Sequence, residues 1–301
     1  MFQIRTDLAM EAHEIARKNK NSPVDGVIFR EEILDGFKLT RIEIKDENAK
    51  KETGKPIGKY LTLDVGKLWE SGIENIYFAS SALSKLIHEL TDISYDDKPM
   101  LIAGLGNITI TADAIGPKAV EHVIVTRHLK DATPKLFRDL GFSDLAAISP
   151  GVLAQTGIET SEIVKSVAKK ISPSFIVAID ALTARNISRL GCAIQLTDTG
   201  IMPGSGIGNR RNALNESTIG VPVISIGIPT VVDALTLSAN ILEKYNGDSS
   251  VLSGDSEERN FFVTPKDSDR IVSYMAKVVG YAINMAFHEK LSYEEMISLA
   301  N

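Results

Sequence analysis

The sequence contains one cysteine, no long apolar run and no excess of positive charge, and each of these absences excludes a class of protein. A single thiol, Cys192, cannot form an intramolecular disulfide, which is typical of chains in a reducing compartment. The longest apolar segment, 221–237, is interrupted by proline, threonine and aspartate, so we expect no transmembrane helix. The charged N-terminus does not resemble a secretory signal, and we therefore expect a cytoplasmic protein with no membrane association.

The charge of the chain also limits its partners. A formal net charge of −6 argues against a protein that neutralises nucleic-acid phosphates, so we expect no direct nucleic-acid binding. The same charge is compatible with a basic protein as a partner.

The N-terminal part of the chain is predicted to contain a helix over 8–20 and then a β-hairpin. Apolar or alternating segments lie on either side of Asp35-Gly36, a pair that favours a tight turn. The polar segment 45–59 is predicted to be an exposed loop, and 60–65 a further strand.

From residue 100 onward the pattern changes to strand-then-helix units. Strands are predicted at 100–105, 122–126, 175–179, 192–196 and 221–228. Helices are predicted at 160–171, at 229–245 and from Pro265 onward, with Thr264 as the cap of the last one. Uniformly apolar strands that alternate with helices indicate an α/β protein with a largely parallel central sheet and helices on both faces. Together with the N-terminal hairpin, they are expected to form one domain.

Two aspartates are predicted at the edge of this sheet where ligands bind in α/β proteins, beyond the carboxyl ends of the strands. Asp180 directly follows the strand predicted at 175–179, and Asp113 lies in the connection after the strand predicted at 100–105. An aspartate in this position often caps the next helix, and spacing alone does not show that the two side chains meet.

If the two carboxylates meet, they can share one proton and act on a peptide bond. The ionised group activates a water molecule, while the protonated group hydrogen-bonds the substrate carbonyl and later protonates the leaving amine. Holding that proton at neutral pH requires a pKa shift of roughly 3 units, or about 4 kcal/mol. The crevice must therefore be poor in water.

Two glycine-rich segments support another class of function. Residues 104–109 begin like a dinucleotide-binding loop, but threonine replaces the third glycine. Residues 203–211 form a glycine loop that ends in two arginines, and it can bind an anion, grip an acidic substrate side chain or simply lie on the surface. Its candidate substrate-binding residues are Gly204, Ser205, Gly206 and Arg210. A non-catalytic nucleotide- or anion-binding protein is therefore one alternative.

A metal-dependent peptidase is the second alternative. The five histidines show no metal-ligand spacing, and no cofactor is predicted. A metal held by Asp113 and Asp180 with help from His122 or His128 nevertheless stays open. Cys192 lies in an apolar strand, which favours a place in the core over a catalytic role.

Short motifs in a fixed order run along nearly the whole chain: Arg5-Thr-Asp-Leu-Ala9, Gly104-Leu-Gly-Asn107, Asp113-Ala-Ile-Gly-Pro-Lys-Ala119, Val125-Thr-Arg-His-Leu129, Pro150-Gly-Val152, Thr156-Gly-Ile-Glu-Thr-Ser161, Ala178-Ile-Asp-Ala-Leu182, Pro203-Gly-Ser-Gly206, Gly220-Val-Pro-Val-Ile224, Gly227-Ile-Pro-Thr-Val-Val-Asp-Ala234 and Val263-Thr-Pro-Lys266. In these motifs the sequence resembles the spore germination protease family, endopeptidases of spore-forming bacteria.

The resemblance implies an atypical aspartic peptidase with a core like that of hydrogenase maturation peptidases. Its two essential aspartates match Asp113 and Asp180. The implied substrates are small, acid-soluble DNA-binding spore proteins, degraded at germination in the spore core. The resemblance further implies a homotetramer made from a precursor that cuts its own Asp7–Leu8 bond, with residues 1–7 as the propeptide and 8–301 as the peptidase domain.

Three departures from the family pattern stand out. The propeptide is shorter than usual, Ala112 replaces a frequent proline before the first aspartate, and the segment 246–260 is shorter than the insertion of many relatives.

Overall fold

The computed structural model describes residues 4–72, 74–91, 98–204, 212–247, 252 and 261–300. In these ranges the helices are α1 Ala9–Lys20, α2 Glu47–Thr53, α3 Glu74–Leu90, α4 Ile115–Val120, α5 Arg127–Ala132, α6 Pro134–Asp139, α7 Leu153–Thr156, α8 Thr160–Ile171, α9 Glu216–Ile219, α10 Ala234–Lys244, α11 Ser268–Phe287 and α12 Tyr293–Ala300. The strands are β1 Val27–Leu34, β2 Phe37–Ile44, β3 Gly58–Asp64, β4 Met100–Gly104, β5 Leu145–Ile148, β6 Ile176–Ala184, β7 Ala193–Thr197, β8 Val223–Asp233 and β9 Phe262–Val263.

These strands form one mixed sheet in the order β1-β2-β3-β7-β8-β6-β4-β5, with β9 beside β8. The strands β8, β6, β4 and β5 are parallel, as predicted for the central sheet. The hairpin, β3 and β7 extend the sheet on one side with antiparallel pairs. The predicted α/β class is confirmed, and the parallel arrangement applies to one half of the sheet.

Helices cover both faces of the sheet, also as predicted. Successive side chains of a strand point to opposite faces, so each buried strand contributes to two cores. In β6, Val177 and Ile179 join the core that contains α3, α4 and α11. Ile176 and Ala178 join the core under α8.

The predicted hairpin and its turn are confirmed. Asp35 and Gly36 both have positive φ, 50° and 87°, which is the conformation of the tight turns that suit the twist of two paired strands. The pairing begins directly beside the turn, at Leu34 and Phe37.

Four sequence predictions outside the site were wrong. The segment 45–59 contains helix α2, because the Asp46 side chain accepts a hydrogen bond from the Ala49 amide (2.8 Å) and caps a short polar helix. Residues 122–126 form no strand, and the next strand after β4 is β5, which pairs with β4.

The other two errors concern helix starts. The residues predicted to begin a helix at 229 continue β8 to Asp233, since threonine and valine at 230–232 favour a strand. The last long helix, α11, begins at Ser268 with Asp267 at the cap position, and not at Pro265 after a Thr264 cap. No helix within the described ranges has both the length and the apolar character needed to cross a membrane.

Candidate active site

Asp180 lies at the point where β4 leaves the sheet. Strand β6 continues past it to Ala184, so Asp180 does not end the strand, as the sequence had suggested. The pairing of β4 with β6 stops at Ile179, whose carbonyl accepts a hydrogen bond from the Leu105 amide (2.7 Å). The Asp180 residue is only 4% exposed, and its Oδ1 accepts a hydrogen bond from the Ala181 amide. It caps no helix and is presented from a buried strand.

Asp113 is the last residue of a short 3-10 turn, Thr111–Asp113, after β4. Its Oδ2 accepts a hydrogen bond from the Asn107 amide at 2.7 Å. It does not cap α4, because Ala114 occupies that position and no side chain caps the helix. The Thr230 hydroxyl on β8 donates to the Ala112 carbonyl (2.6 Å), which ties the turn to the central sheet.

The glycine loop after β4 wraps around Asp113. Gly106 has a φ of 115°, and a Cβ atom at this position would lie 2.0 Å from the Asp113 carbonyl oxygen. Only glycine therefore allows this close approach of the two backbone segments. The loop leads into the 3-10 turn that carries Asp113, so its glycines serve a contact within the protein instead of opening a long helix toward a dinucleotide.

The two aspartates line the same crevice. A cavity of about 250 Å³ is lined by Asp113, Asp180 and Asp7. Its other lining residues are mainly apolar: Ile110, Ala112, Ala181, Leu182, Thr183, Met202, Gly204, Thr230, Val231 and Phe262. A smaller cavity of about 40 Å³ is also bordered by Asp113 and Asp180. The structure thus brings the two predicted residues together in largely apolar surroundings.

The N-terminal segment runs beside this crevice. The Asp7 amide donates to the Thr183 carbonyl, and the Thr183 amide donates to the Asp7 carboxylate, both at 2.8 Å. Leu8 is fully buried, and the next residue, Ala9, donates its amide to Gln195 Oε1 at 2.7 Å. The bond between Asp7 and Leu8 is therefore fixed against β6 and β7.

Two further side chains contact the same bond. Lys55 Nζ lies 3.0 Å from the carbonyl oxygens of both Thr6 and Asp7, and Gln195 Nε2 lies 3.3 Å from the Asp7 oxygen. Sequence reasoning missed Lys55 and Gln195. No motif marks them, because Lys55 follows a polar helix and Gln195 lies within an apolar strand.

The predicted glycine loop is described only at its start. Gly204 borders both cavities that contain the two aspartates. Ser205, Gly206 and Arg210 lie outside the described residues, so their predicted role in substrate binding stays a prediction.

The histidines considered as metal ligands do not line the two cavities described above. Neither His122 nor His128 is among the lining residues of the 250 Å³ or the 40 Å³ cavity. Within the described part of the chain, no three histidine, cysteine, aspartate or glutamate side chains are arranged so that they could hold a metal ion. The His122 ring packs against Tyr281, and burial lowers its pKa.

Cys192 is part of the core that contains α11. Burial raises the pKa of its thiol to about 11, and the nearby Asp64 acts in the same direction. The thiol is therefore protonated at neutral pH, as expected for a core cysteine that is not a nucleophile.

Comparison with solved structures finds a [NiFe] hydrogenase maturation protease from Thermococcus kodakarensis KOD1, with 16% identity, 64% of this chain and 98% of that chain covered. The TM-score is 0.32, which is too low to support a conclusion about fold or function.

Three curated relatives, each named germination protease, match almost end to end. The protein of Caldanaerobacter subterraneus subsp. tengcongensis is 39% identical over 98% of each chain. The protein of Clostridium perfringens is 36% identical over the whole of both chains. The protein of Priestia megaterium is 35% identical over 97% of this chain and 96% of its own. The model of the peptidase family A25, described as germination protease, matches residues 5–247. The chain therefore belongs to the germination protease family of peptidases.

Proposed function

We propose that this chain is an endopeptidase that uses Asp113 and Asp180 to cut small, acid-soluble DNA-binding proteins at spore germination. The observation that supports this assignment is that Asp113 and Asp180 line one largely apolar cavity together with Asp7. Family membership supports the peptidase activity, and the net charge of −6 suits a basic protein substrate.

The proposed chemistry uses the aspartate pair as one acid–base unit. Because two close carboxylates do not both ionise cheaply in a desolvated crevice, they share one proton. The ionised carboxylate takes a proton from water, whose oxygen attacks the carbonyl carbon of the peptide bond. The tetrahedral intermediate then collapses, and the leaving nitrogen takes a proton from the pair, which restores the starting state.

The proposal includes self-processing. Asp7 and Leu8 are held beside the crevice in the manner of a bound peptide, with the Asp7 carboxylate on the Thr183 amide and the Leu8 side chain buried. We therefore propose that the precursor removes its residues 1–7 and then works as a homotetramer in the spore core, without a cofactor. The preference of the processing site, acidic then apolar then small, is expected for substrates too.

The test compares Asp113→Asn and Asp180→Asn with Asp139→Asn, an exposed control on α6. Intact mass reports the loss of residues 1–7, and gel analysis reports the cutting of a purified small, acid-soluble DNA-binding protein. Both site variants should lose at least about 100-fold in each rate, while they unfold at the wild-type temperature. Full activity in either site variant overturns the assignment.

A further inference from the structure

The carbonyl oxygen of the Asp7–Leu8 bond has two donors that the aspartate pair does not supply. Lys55 Nζ donates to this oxygen at 3.0 Å and also to the Thr6 carbonyl at 3.0 Å. Gln195 Nε2 donates to the same Asp7 oxygen at 3.3 Å. The donors come from the segment after α2 and from strand β7, so tertiary structure alone brings them to one atom.

Both donors are oriented before the reaction. Gln195 is only 5% exposed, and its Oε1 accepts the Ala9 amide, which turns its Nε2 toward the Asp7 carbonyl. Lys55 is half-buried. Burial lowers the pKa of its ammonium below the ordinary value, and the charges of Asp7 and Glu11 only partly oppose this. A desolvated cation next to a carbonyl oxygen interacts strongly with negative charge that develops there.

We propose that Lys55 and Gln195 form the site that binds the carbonyl group of the bond to be cut, in substrates as in the N-terminal segment. This proposal rests on the proposed function, because it takes the Asp7–Leu8 bond as the first substrate. When water attacks the carbonyl carbon, the electron pair of the C=O bond moves to the oxygen, and the Lys55 ammonium and the Gln195 amide stabilise it. The same electron pair reforms the C=O bond when the amine leaves.

This assignment gives proton transfer and stabilisation of the carbonyl oxygen to different residues. Asp113 and Asp180 move protons between water and the leaving amine, and the charge on the oxygen is met by a separate cation. The competing explanation is that Lys55 merely anchors the uncut N-terminus and contributes nothing to the reaction. The two explanations predict different effects on kcat when the ammonium is removed: a loss if Lys55 acts in the reaction, and no loss if it is only an anchor.

The experiment compares the full chain carrying Lys55→Met with wild type and with Lys51→Met, an exposed lysine of α2. Two rates are measured: the first-order loss of residues 1–7 by intact mass, and saturation kinetics on a synthetic peptide of residues 3–14. We expect Lys55→Met to lower the self-processing rate and kcat by about 100-fold or more, with KM within about threefold. Lys51→Met should match wild type.

Two more variants keep the test decisive if Lys55→Met does not fold. Lys55→Arg keeps the cation and should retain at least about ten times the kcat of the methionine variant. Gln195→Glu keeps the acceptor for the Ala9 amide but removes the donor, and it should lower kcat by about 10-fold or more. In each case thermal unfolding reports whether the fold is intact.

The outcomes separate the two proposals. If wild type cuts both substrates and folded Lys55→Met cuts the peptide with an unchanged or raised kcat, the ammonium is only an anchor and the carbonyl-site proposal is overturned. If folded Gln195→Glu keeps the wild-type kcat, the same conclusion follows for Gln195. If wild type cuts neither substrate, the proposed function itself fails, and the carbonyl site with it.

Discussion

Asp7 and Thr183 pair in both directions: the Asp7 amide donates to the Thr183 carbonyl, and the Thr183 amide donates to the Asp7 carboxylate, each at 2.8 Å. Thr183 lies on β6, three residues beyond Asp180. This pairing places Asp7 directly beside the crevice that Asp113 and Asp180 line.

The first prediction concerns this pairing. Asp7→Ala removes the acceptor of the Thr183 amide, so we expect self-processing to slow by about 10-fold or more, since a hydrogen bond to a charged group contributes about 1.5–3 kcal/mol. Asp7→Asn keeps an oxygen acceptor of the same shape and should lose less. The rate of appearance of the shortened chain by intact mass is the measurement, and equal rates for Asp7→Ala and wild type would contradict the prediction.

The second prediction concerns the loop that wraps around Asp113. In Gly106→Ala the new Cβ meets the Asp113 carbonyl oxygen at 2.0 Å, and the backbone also carries an unfavourable φ of 115°. The loop must shift and displace Asp113, so under the proposed mechanism we expect activity to fall by about 100-fold.

Gly220→Ala is the matched control for this prediction. Gly220 also has a positive φ, 95°, but a Cβ atom there meets nothing within 4 Å. The Gly220→Ala variant should lose about 1–2 kcal/mol in free energy of unfolding and should cleave the peptide at the wild-type rate. Peptide cleavage and urea unfolding are measured on both variants, and a fully active Gly106→Ala would show that the contact with Asp113 is not needed.

The third prediction concerns Glu11, which anchors the N-terminal segment. The residue is 2% exposed, and its carboxylate accepts the amides of Arg185 (2.6 Å) and Asn186 (3.0 Å). Burial raises the pKa of Glu11 above its ordinary value, although the hydrogen bonds from Thr6, Arg185 and Asn186 oppose this. An acid with a raised pKa in the folded state adds stability at low pH, and that stability is lost as the pH rises through the folded pKa.

The measurement for Glu11 is urea unfolding of wild type and Glu11→Gln at several pH values from 4 to 8. The glutamine side chain does not titrate. Its NH₂ group faces a backbone N–H donor, which lowers the free energy of unfolding by about 1–3 kcal/mol. The free energy of unfolding of wild type should exceed that of Glu11→Gln most at pH values below the unfolded-state pKa near 4.5. The difference between the two proteins should shrink as the pH rises. Parallel curves for the two proteins would exclude a raised pKa at this position.

The fourth prediction separates the aspartate pair from a metal site. Among the residues that the structure describes, no third acidic, histidine or cysteine side chain completes a metal site with Asp113 and Asp180. We therefore expect peptide cleavage to survive extended dialysis against a chelator and to gain nothing from added divalent ions. Activity that disappears on dialysis and returns with one ion would favour the metal-dependent alternative.

Several elements could be predicted because their information is local. Helix α1 and strands β4, β7 and β8 follow from apolar periodicity, and the turn of the β1–β2 hairpin follows from Asp35-Gly36. The errors have the opposite cause. Residues 122–126 are as apolar as a strand, but the place beside β4 is taken by β5, and pairing between distant segments is not encoded in either segment alone.

The candidate site divides in the same way. Asp113 and Asp180 were selected because each was predicted near the end of a buried strand, although β6 in fact continues past Asp180. Lys55 and Gln195 were not selected, since a lysine after a polar helix and a glutamine in an apolar strand have no local signal. Their convergence on the Asp7 carbonyl depends on how β7, α2 and the N-terminal segment pack together.

The sequence by itself determined the α/β class and the family, and it predicted the two aspartates as site residues, because periodicity, glycine chemistry and ordered motifs are properties of neighbouring residues. Only the tertiary structure decided that these carboxylates border one crevice, that Asp7 lies in it and that a lysine and a glutamine bind the adjacent carbonyl. The physical reason is that hydrogen bonds and desolvation act over a few ångströms in space, whereas these residues are separated by tens to more than a hundred positions along the chain.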